Sequence, residues 1–142
     1  MKLTDNLHTT NYFDTFIEAA EDTKVAAAKI PEEKNGKKTI ASMQFDMLSK
    51  KPYKYTSDEV LFQVYADRND LTKEEYKEAR EQFFSKGQAC FRASPLTKQF
   101  GFGVHFDSKG KMALYGMETK EYQQFLKDKG IAKVKAMRSA RK

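Results

Sequence analysis

Residues 103–116, with the sequence GVHFDSKGKMALYG, constrain the fold more than any other stretch of the chain. Two runs of alternating apolar and polar residues flank the turn segment DSKG. This pattern is typical of a β-hairpin closed by a type I turn with Gly110 in the left-handed position. Pairing Asp107 with Lys111 then fixes the register, because strand side chains alternate with a period of two. One face of the hairpin is therefore apolar, with two facing pairs: Phe106 with Met112, and Val104 with Leu114.

The opposite face of the predicted hairpin carries its polar side chains. The same register puts His105 opposite Ala113 and Gly103 opposite Tyr115. A glycine across from a bulky side chain leaves space that a β-carbon would fill. We therefore expect Gly103 to make room for the ring of Tyr115.

Two helix starts are marked by capping boxes, in which a threonine and a glutamate three residues later satisfy each other's backbone N–H groups. Thr56 and Glu59 form one such pair, and Thr72 and Glu75 form the other. An apolar residue precedes each threonine, and Gly87 is a stop signal for the second helix. The motifs predict helices over residues 57–68 and 73–86.

Two further helices follow from apolar spacing. One lies before Pro52 in the segment TIASMQFDMLSKK, and the other covers about residues 119–129, ending at Gly130. In the first helix Ile40, Met43 and Met47 lie on one face, and in the second Tyr122, Phe125 and Leu126 are predicted to point inward.

The combined pattern predicts one α+β domain over residues 1–142, with a short basic tail at about 138–142. The sheet is expected to be small and mainly antiparallel, with helices from the central segment covering it. Its strands are predicted at residues 14–21, 102–107, 111–116 and 131–136. The first of these is ambiguous, because its apolar spacing also fits a helix. The last, with lysines at alternate positions, is typical of an edge strand.

The composition excludes several classes of protein. Cys90 is the only cysteine of the 142 residues, and the amino-terminal segment lacks the apolar run of a signal peptide, so we expect a cytoplasmic protein without a membrane span. The common zinc, P-loop, dinucleotide and metalloprotease motifs are absent from the sequence. The two histidines, His8 and His105, lack a placed carboxylate or thiolate, so we expect no metal and no cofactor.

Positive charge is concentrated in the last third of the chain. Residues 89–142 contain 12 Lys and Arg against 4 Asp and Glu, whereas the net charge of the whole chain is +6. Such an asymmetry favours an anionic partner.

The segment CFRASPLTKQFGFGVH, residues 90–105, is the best candidate for a ligand site. Ser94 followed by Pro95 starts a short helical turn, and Arg92 and Lys98 add positive charge beside it. The hairpin supplies His105 and Tyr115. The leading hypothesis is therefore non-catalytic binding of a small anionic ligand by five residues: Arg92, Ser94, Lys98, His105 and Tyr115.

Two other functions remain open, an enzyme and an interaction module that binds protein or nucleic acid. In one, a cofactor-independent enzyme uses Cys90 as a nucleophile with His105 as its base, or uses His105 alone; a small buried hydrophobic role for Cys90 is favoured over this. In the other, the basic carboxyl-terminal run binds a protein. Nucleic acid ranks lower as a partner of that run, because no nucleic-acid-binding motif accompanies the lysines.

Several words of the sequence, among them HTTNYFDTFIE, PYKYTSDEVLF and FFSKGQACFRASPLTK, together resemble a bacterial family of unknown function. The resemblance covers most of the chain and implies no activity. The family pattern FIEVAEDCP implies a strand at residues 14–21. This chain departs from that pattern at Ala19, Thr23 and Lys24, and has Phe102 where the family tends to carry tryptophan.

Overall fold

The computed structural model describes residues 7–138 and confirms the α+β class. Four strands form one mixed sheet in the order β3, β2, β1, β4. The hairpin strands and β1 pair antiparallel, and β4 pairs parallel with β1 at the sheet edge. The strands are β1 (Thr15–Glu18), β2 (Phe102–Phe106), β3 (Met112–Gly116) and β4 (Ala132–Lys135).

The helices lie between β1 and β2, and between β3 and β4. They are α1 (Ile40–Lys50), α2 (Ser57–Arg68), α3 (Tyr76–Phe84), α4 (Pro95–Lys98) and α5 (Lys120–Lys127). The capping boxes at Thr56 and Thr72 are confirmed, with Glu59 and Glu75 accepting the threonine N–H groups at 2.8 and 2.7 Å. The second predicted helix differs in detail, because residues 73–75 form a 3₁₀ turn and α3 ends at Phe84.

The hairpin register is confirmed at each pair. Phe106 lies opposite Met112, and His105 lies opposite Ala113. The N–H of Gly110 donates to the carbonyl of Asp107 at 3.1 Å, and its φ of 81° is the left-handed conformation that glycine adopts without a steric penalty. Local turn chemistry therefore determines this part of the fold.

Helices cover both faces of the sheet. Ile17, Val104 and Met112 point into the main core with side chains from α1, α2 and α4. On the other face, α5 lies over Phe16, whose ring stacks on that of Phe125 with centroids 5.0 Å apart. The two faces are therefore separate environments for any side chain on the strands.

The expected role of Gly103 is wrong in its detail. A β-carbon at Gly103 would lie 2.4 Å from the ring of Phe16 and 2.7 Å from that of Tyr122. Phe16 is fully buried, and its ring stands edge to face against Tyr122. The space at Gly103 therefore serves these two rings rather than Tyr115, because α5 brings Tyr122 down onto this face.

Two of the three residues on the predicted apolar face of α1, Met43 and Met47, pack against the core. Ile40 is 38% exposed, whereas Ala41, Gln44 and Leu48 are buried. Gln44 can lie in the core because the hydroxyl of Ser94 donates to its Oε1 at 2.6 Å. A polar pair from distant segments is therefore buried beside the apolar side chains of the core.

The amino-terminal segment is anchored to the start of α2. The N–H and hydroxyl of Thr10 both donate to Oδ1 of Asp58 at 2.7 Å, and the hydroxyl of Thr9 donates to Oδ2.

None of the helices within residues 7–138 is long and apolar enough to cross a membrane. The predicted basic tail falls outside the described residues beyond Arg138.

Candidate functional site

The structure places the five predicted ligand-binding residues in three different environments. His105 and Tyr115 lie together under α5, and Ser94 is buried on the opposite face of the sheet with α1. Arg92 contacts β4, and Lys98 lines a cavity beside the loop that follows β1. The predicted residues therefore do not surround one ligand.

His105 and Tyr115 are joined by Tyr53, a residue that sequence reasoning missed. The hydroxyl of Tyr53 lies 2.8 Å from Nδ1 of His105 and 2.8 Å from the hydroxyl of Tyr115. The ring of Phe125 stacks on the imidazole with centroids 4.3 Å apart. Tyr53 has a φ of 60°, and its N–H donates to the carbonyl of Met112, which docks it beside β3. We call these four residues the Tyr53 cluster.

Burial controls the electrostatics of the Tyr53 cluster. Desolvation lowers the pKa of His105, although the carboxylates of Asp107, Asp128 and Asp14 act in the opposite direction. Desolvation, assisted by the hydrogen bond to Tyr115, raises the pKa of Tyr53. The Tyr53 hydroxyl hydrogen-bonds both the imidazole of His105 and the hydroxyl of Tyr115, so these polar groups satisfy one another. The cluster therefore places hydrogen-bonded polar groups at the contact between α5 and the hairpin.

Ser94 and Arg92 both have structural partners. The hydroxyl of Ser94 accepts the N–H of Leu96 at 3.1 Å, so the predicted cap is confirmed, and it donates to Gln44. Nε of Arg92 donates to the carbonyl of Lys135 at 2.7 Å. These bonds tie the turn before α4 to α1 and β4.

Cys90 and His105 are not hydrogen-bonded to each other. Sγ of Cys90 lies 3.3 Å from the hydroxyl of Tyr12, and the thiol is half-buried. Burial and this contact raise the pKa of Tyr12 to about 12. The base proposed for a Cys90 nucleophile therefore bonds elsewhere, to Tyr53.

Lys98 lines a cavity large enough for a small molecule. The loop after β1 forms two hydrogen bonds with the residues that follow α4. Oγ1 of Thr23 donates to the carbonyl of Gln99 at 3.2 Å, and the N–H of Lys29 donates to the carbonyl of Phe100 at 2.9 Å. Between these two bonds lies a cavity of about 390 Å³. We call it the Lys98 cavity, and it is lined by Asp22, Thr23, Lys24, Val25, Lys29, Lys98, Gln99 and Phe100.

The lining of the Lys98 cavity combines positive charge with an apolar surface. Lys24, Lys29 and Lys98 make no ion pair within residues 7–138, and Asp22 is the one acid in the lining. Val25 supplies part of the apolar surface. Ammonium groups suit carboxylate and phosphate, and an apolar wall suits the carbon skeleton of a metabolite.

Two lysines of the basic carboxyl-terminal run have bonding partners where the structure describes it. Lys135 pairs with Glu21, and the ammonium of Lys133 donates to the carbonyl of Asp128. Among the described residues, no group of three or more His, Cys, Asp or Glu side chains is arranged to hold a metal ion.

The family model described as a family of unknown function (DUF6157) matches residues 7–142. The chain belongs to this family. No curated protein and no solved structure matches it. The DUF6157 match spans the Tyr53 cluster and the Lys98 cavity alike, so both are features of the family region of the chain.

Proposed function

We propose that the protein binds a small anionic ligand in the Lys98 cavity, without catalysing a reaction on it. The observation that carries the proposal is the convergence of Lys24, Lys29 and Lys98 on a cavity of about 390 Å³. That volume is within the range typical of small-molecule sites, roughly 300–1,000 Å³. This location retains Lys98 from the set predicted from the sequence.

The chemistry of the lining defines the class of ligand. Three ammonium groups favour one phosphate or one or two carboxylates, with Thr23 and Gln99 available as hydrogen-bonding groups. Phe100 and Val25 favour an apolar or aromatic portion on the same molecule. The expected ligand is therefore a phosphorylated or carboxylated metabolite rather than a bare inorganic anion.

Thermal unfolding in the presence of ligand tests this proposal. The panel contains inorganic phosphate, nucleoside monophosphates, aliphatic dicarboxylates and aromatic carboxylates, all at about 0.15 M salt, which screens diffuse attraction. A ligand at about 100 times its Kd stabilises the folded state by about 2.7 kcal/mol, which is a measurable shift.

Three variants locate the binding. Lys98→Gln and the double variant Lys24→Gln/Lys29→Gln should each reduce the shift. Lys109→Gln, the same change on the exposed hairpin turn, should respond as the wild type does. The proposal fails if no anion shifts the wild-type transition, or if Lys98→Gln retains the full shift.

A further inference from the structure

A second depression lined by cations lies between α2 and α3 and shares no lining residue with the Lys98 cavity. It has a volume of about 500 Å³. Its floor is apolar and consists of Met47, Tyr55, Phe62 and Tyr76. Phe62 is only 5% exposed and stands edge to face against Tyr76, with ring centroids 5.6 Å apart. We call this depression the α2–α3 groove.

One rim of the α2–α3 groove is basic because of residue spacing. Lys73, Lys77 and Arg80 are four and three residues apart and line the groove together. The acidic residues of the same segment, Glu74, Glu78 and Glu81, repeat that spacing one position later and line no part of it. Residues 73–81, in which basic and acidic side chains are interleaved in the sequence, therefore present positive charge to the groove.

The basic character continues on the far side. A smaller depression of about 240 Å³ shares Met47 and Tyr55 with the α2–α3 groove, and Lys50 and Lys51 line it. The apolar floor is therefore bordered by lysines from the end of α1 as well as by the cations of residues 73–80.

One acid, Glu59, lines the α2–α3 groove, and one, Asp46, lines the smaller depression. Glu59 accepts the N–H of Thr56 and lies 3.9 Å from the ammonium of Lys111, and Asp46 pairs with Lys38 at 3.1 Å. Within residues 7–138, no carboxylate forms an ion pair with Lys73 or Lys77 of the groove, or with Lys50 or Lys51 of the smaller depression. Five cations line the two depressions against these two acids, so the surface around the apolar floor carries an excess of positive charge.

We infer that the α2–α3 groove binds an acidic segment of a partner protein that also carries apolar side chains. Carboxylates would lie against the two lysine rims, and apolar side chains would cover Met47 and Tyr55 on the floor. A nucleobase would need an open ring face to stack on, whereas Phe62 and Tyr76 pack edge to face on each other. This inference is independent of the Lys98 cavity, which lies elsewhere in the fold.

The probe is a fluorescent synthetic peptide of about 18 residues, rich in glutamate, with Leu and Phe at positions i, i+3, i+4 and i+7. Its twin has lysine in place of every glutamate. Fluorescence anisotropy with the full chain should show binding of the acidic peptide, weakening between about 0.05 M and about 0.5 M salt, and no comparable binding of the twin.

Charge reversal locates the peptide. Lys73→Glu/Lys77→Glu changes two exposed side chains and should weaken binding roughly tenfold, because attraction at the rim becomes repulsion. The milder Lys73→Gln/Lys77→Gln pair should weaken it less. Lys127→Glu/Lys129→Glu produces the same change in net charge on α5 and the residues after it, and should bind as the wild type does.

Several outcomes would overturn the inference. They are no binding of the acidic peptide, equal binding of the lysine twin, unchanged affinity in Lys73→Glu/Lys77→Glu, and loss of binding in Lys127→Glu/Lys129→Glu instead. A single-stranded oligonucleotide that binds at the groove in place of the acidic peptide would also contradict it. Circular dichroism of each variant confirms that the fold is retained.

Discussion

The hydroxyl of Tyr53 lies 2.8 Å from Nδ1 of His105, across 52 positions of sequence. This bond joins the turn after α1 to the centre of the hairpin, and Phe125 of α5 closes over the imidazole. His105, which the sequence suggests as a catalytic base, therefore lies where the turn after α1, the hairpin and α5 meet.

Stability should fall as His105 becomes protonated. Because burial lowers its pKa in the folded state, the folded protein disfavours the charged imidazole. The stabilisation from neutral His105 is complete above the unfolded pKa of about 6.5 and is lost as the pH falls through the folded value. Denaturant unfolding between about pH 8 and about pH 5 should show a larger loss in the wild type than in His105→Gln. Parallel profiles for the two proteins would show that His105 is not the titrating group.

Gly103→Ala should destabilise the fold by about 1–3 kcal/mol, because the new methyl group would overlap the buried ring of Phe16 and the ring of Tyr122. Gly87→Ala is the matched control. Its β-carbon would meet only Nδ1 of His8, 4.0 Å away, so stability should hardly change. Equal urea midpoints for the two variants would mean that α5 does not pack on β2 as described.

The bond between Ser94 and Gln44 makes a prediction that separates a structural role from a binding role. Ser94→Ala leaves the buried Oε1 of Gln44 without its donor and removes the cap of α4, so it should cost about 1–3 kcal/mol. Adding Gln44→Met should recover part of that loss, because no buried amide is then left unpaired. Additive effects of the two substitutions in a double-mutant cycle would contradict the direct bond.

Removing one hydroxyl group tests the capping box of α2. Thr56→Ala removes the hydroxyl that accepts the N–H of Glu59 and should lower the free energy of unfolding by about 1 kcal/mol. Thr56→Ser retains the hydroxyl and should remain close to the wild type. If calorimetry shows the serine variant to be as unstable as the alanine variant, the methyl group rather than the cap is responsible.

Local chemistry explains why much of the fold was predictable. The hairpin register follows from one turn, and the start of α2 from one capping box, so neighbouring residues carry the signal. The parallel pairing of β1 with β4 joins Phe16 to Lys133 across most of the chain, and no local pattern encodes it. The mixed character of the sheet therefore became visible only in the structure.

The candidate site was less predictable for the same reason. Tyr53 sits after Pro52 in a left-handed conformation unusual for an aromatic residue, so nothing nearby indicated its contact with His105. The Lys98 cavity depends on the loop after β1 folding back onto residues 98–100. Lys98 was predicted from its neighbours, whereas Lys24 and Lys29 lie some 70 positions away in the sequence.

Amide chemical shifts in a ligand titration test most directly whether an anion binds in the Lys98 cavity. ¹⁵N-labelled full chain is titrated with inorganic phosphate and then with an aromatic carboxylate, at about 0.15 M salt to suppress diffuse attraction. Saturable shifts should concentrate at Thr23, Val25, Lys29, Gln99 and Phe100, with higher affinity for the aromatic carboxylate. Shifts confined to residues 127–138 or to the α2–α3 groove, or no saturable shift at all, would contradict the proposal.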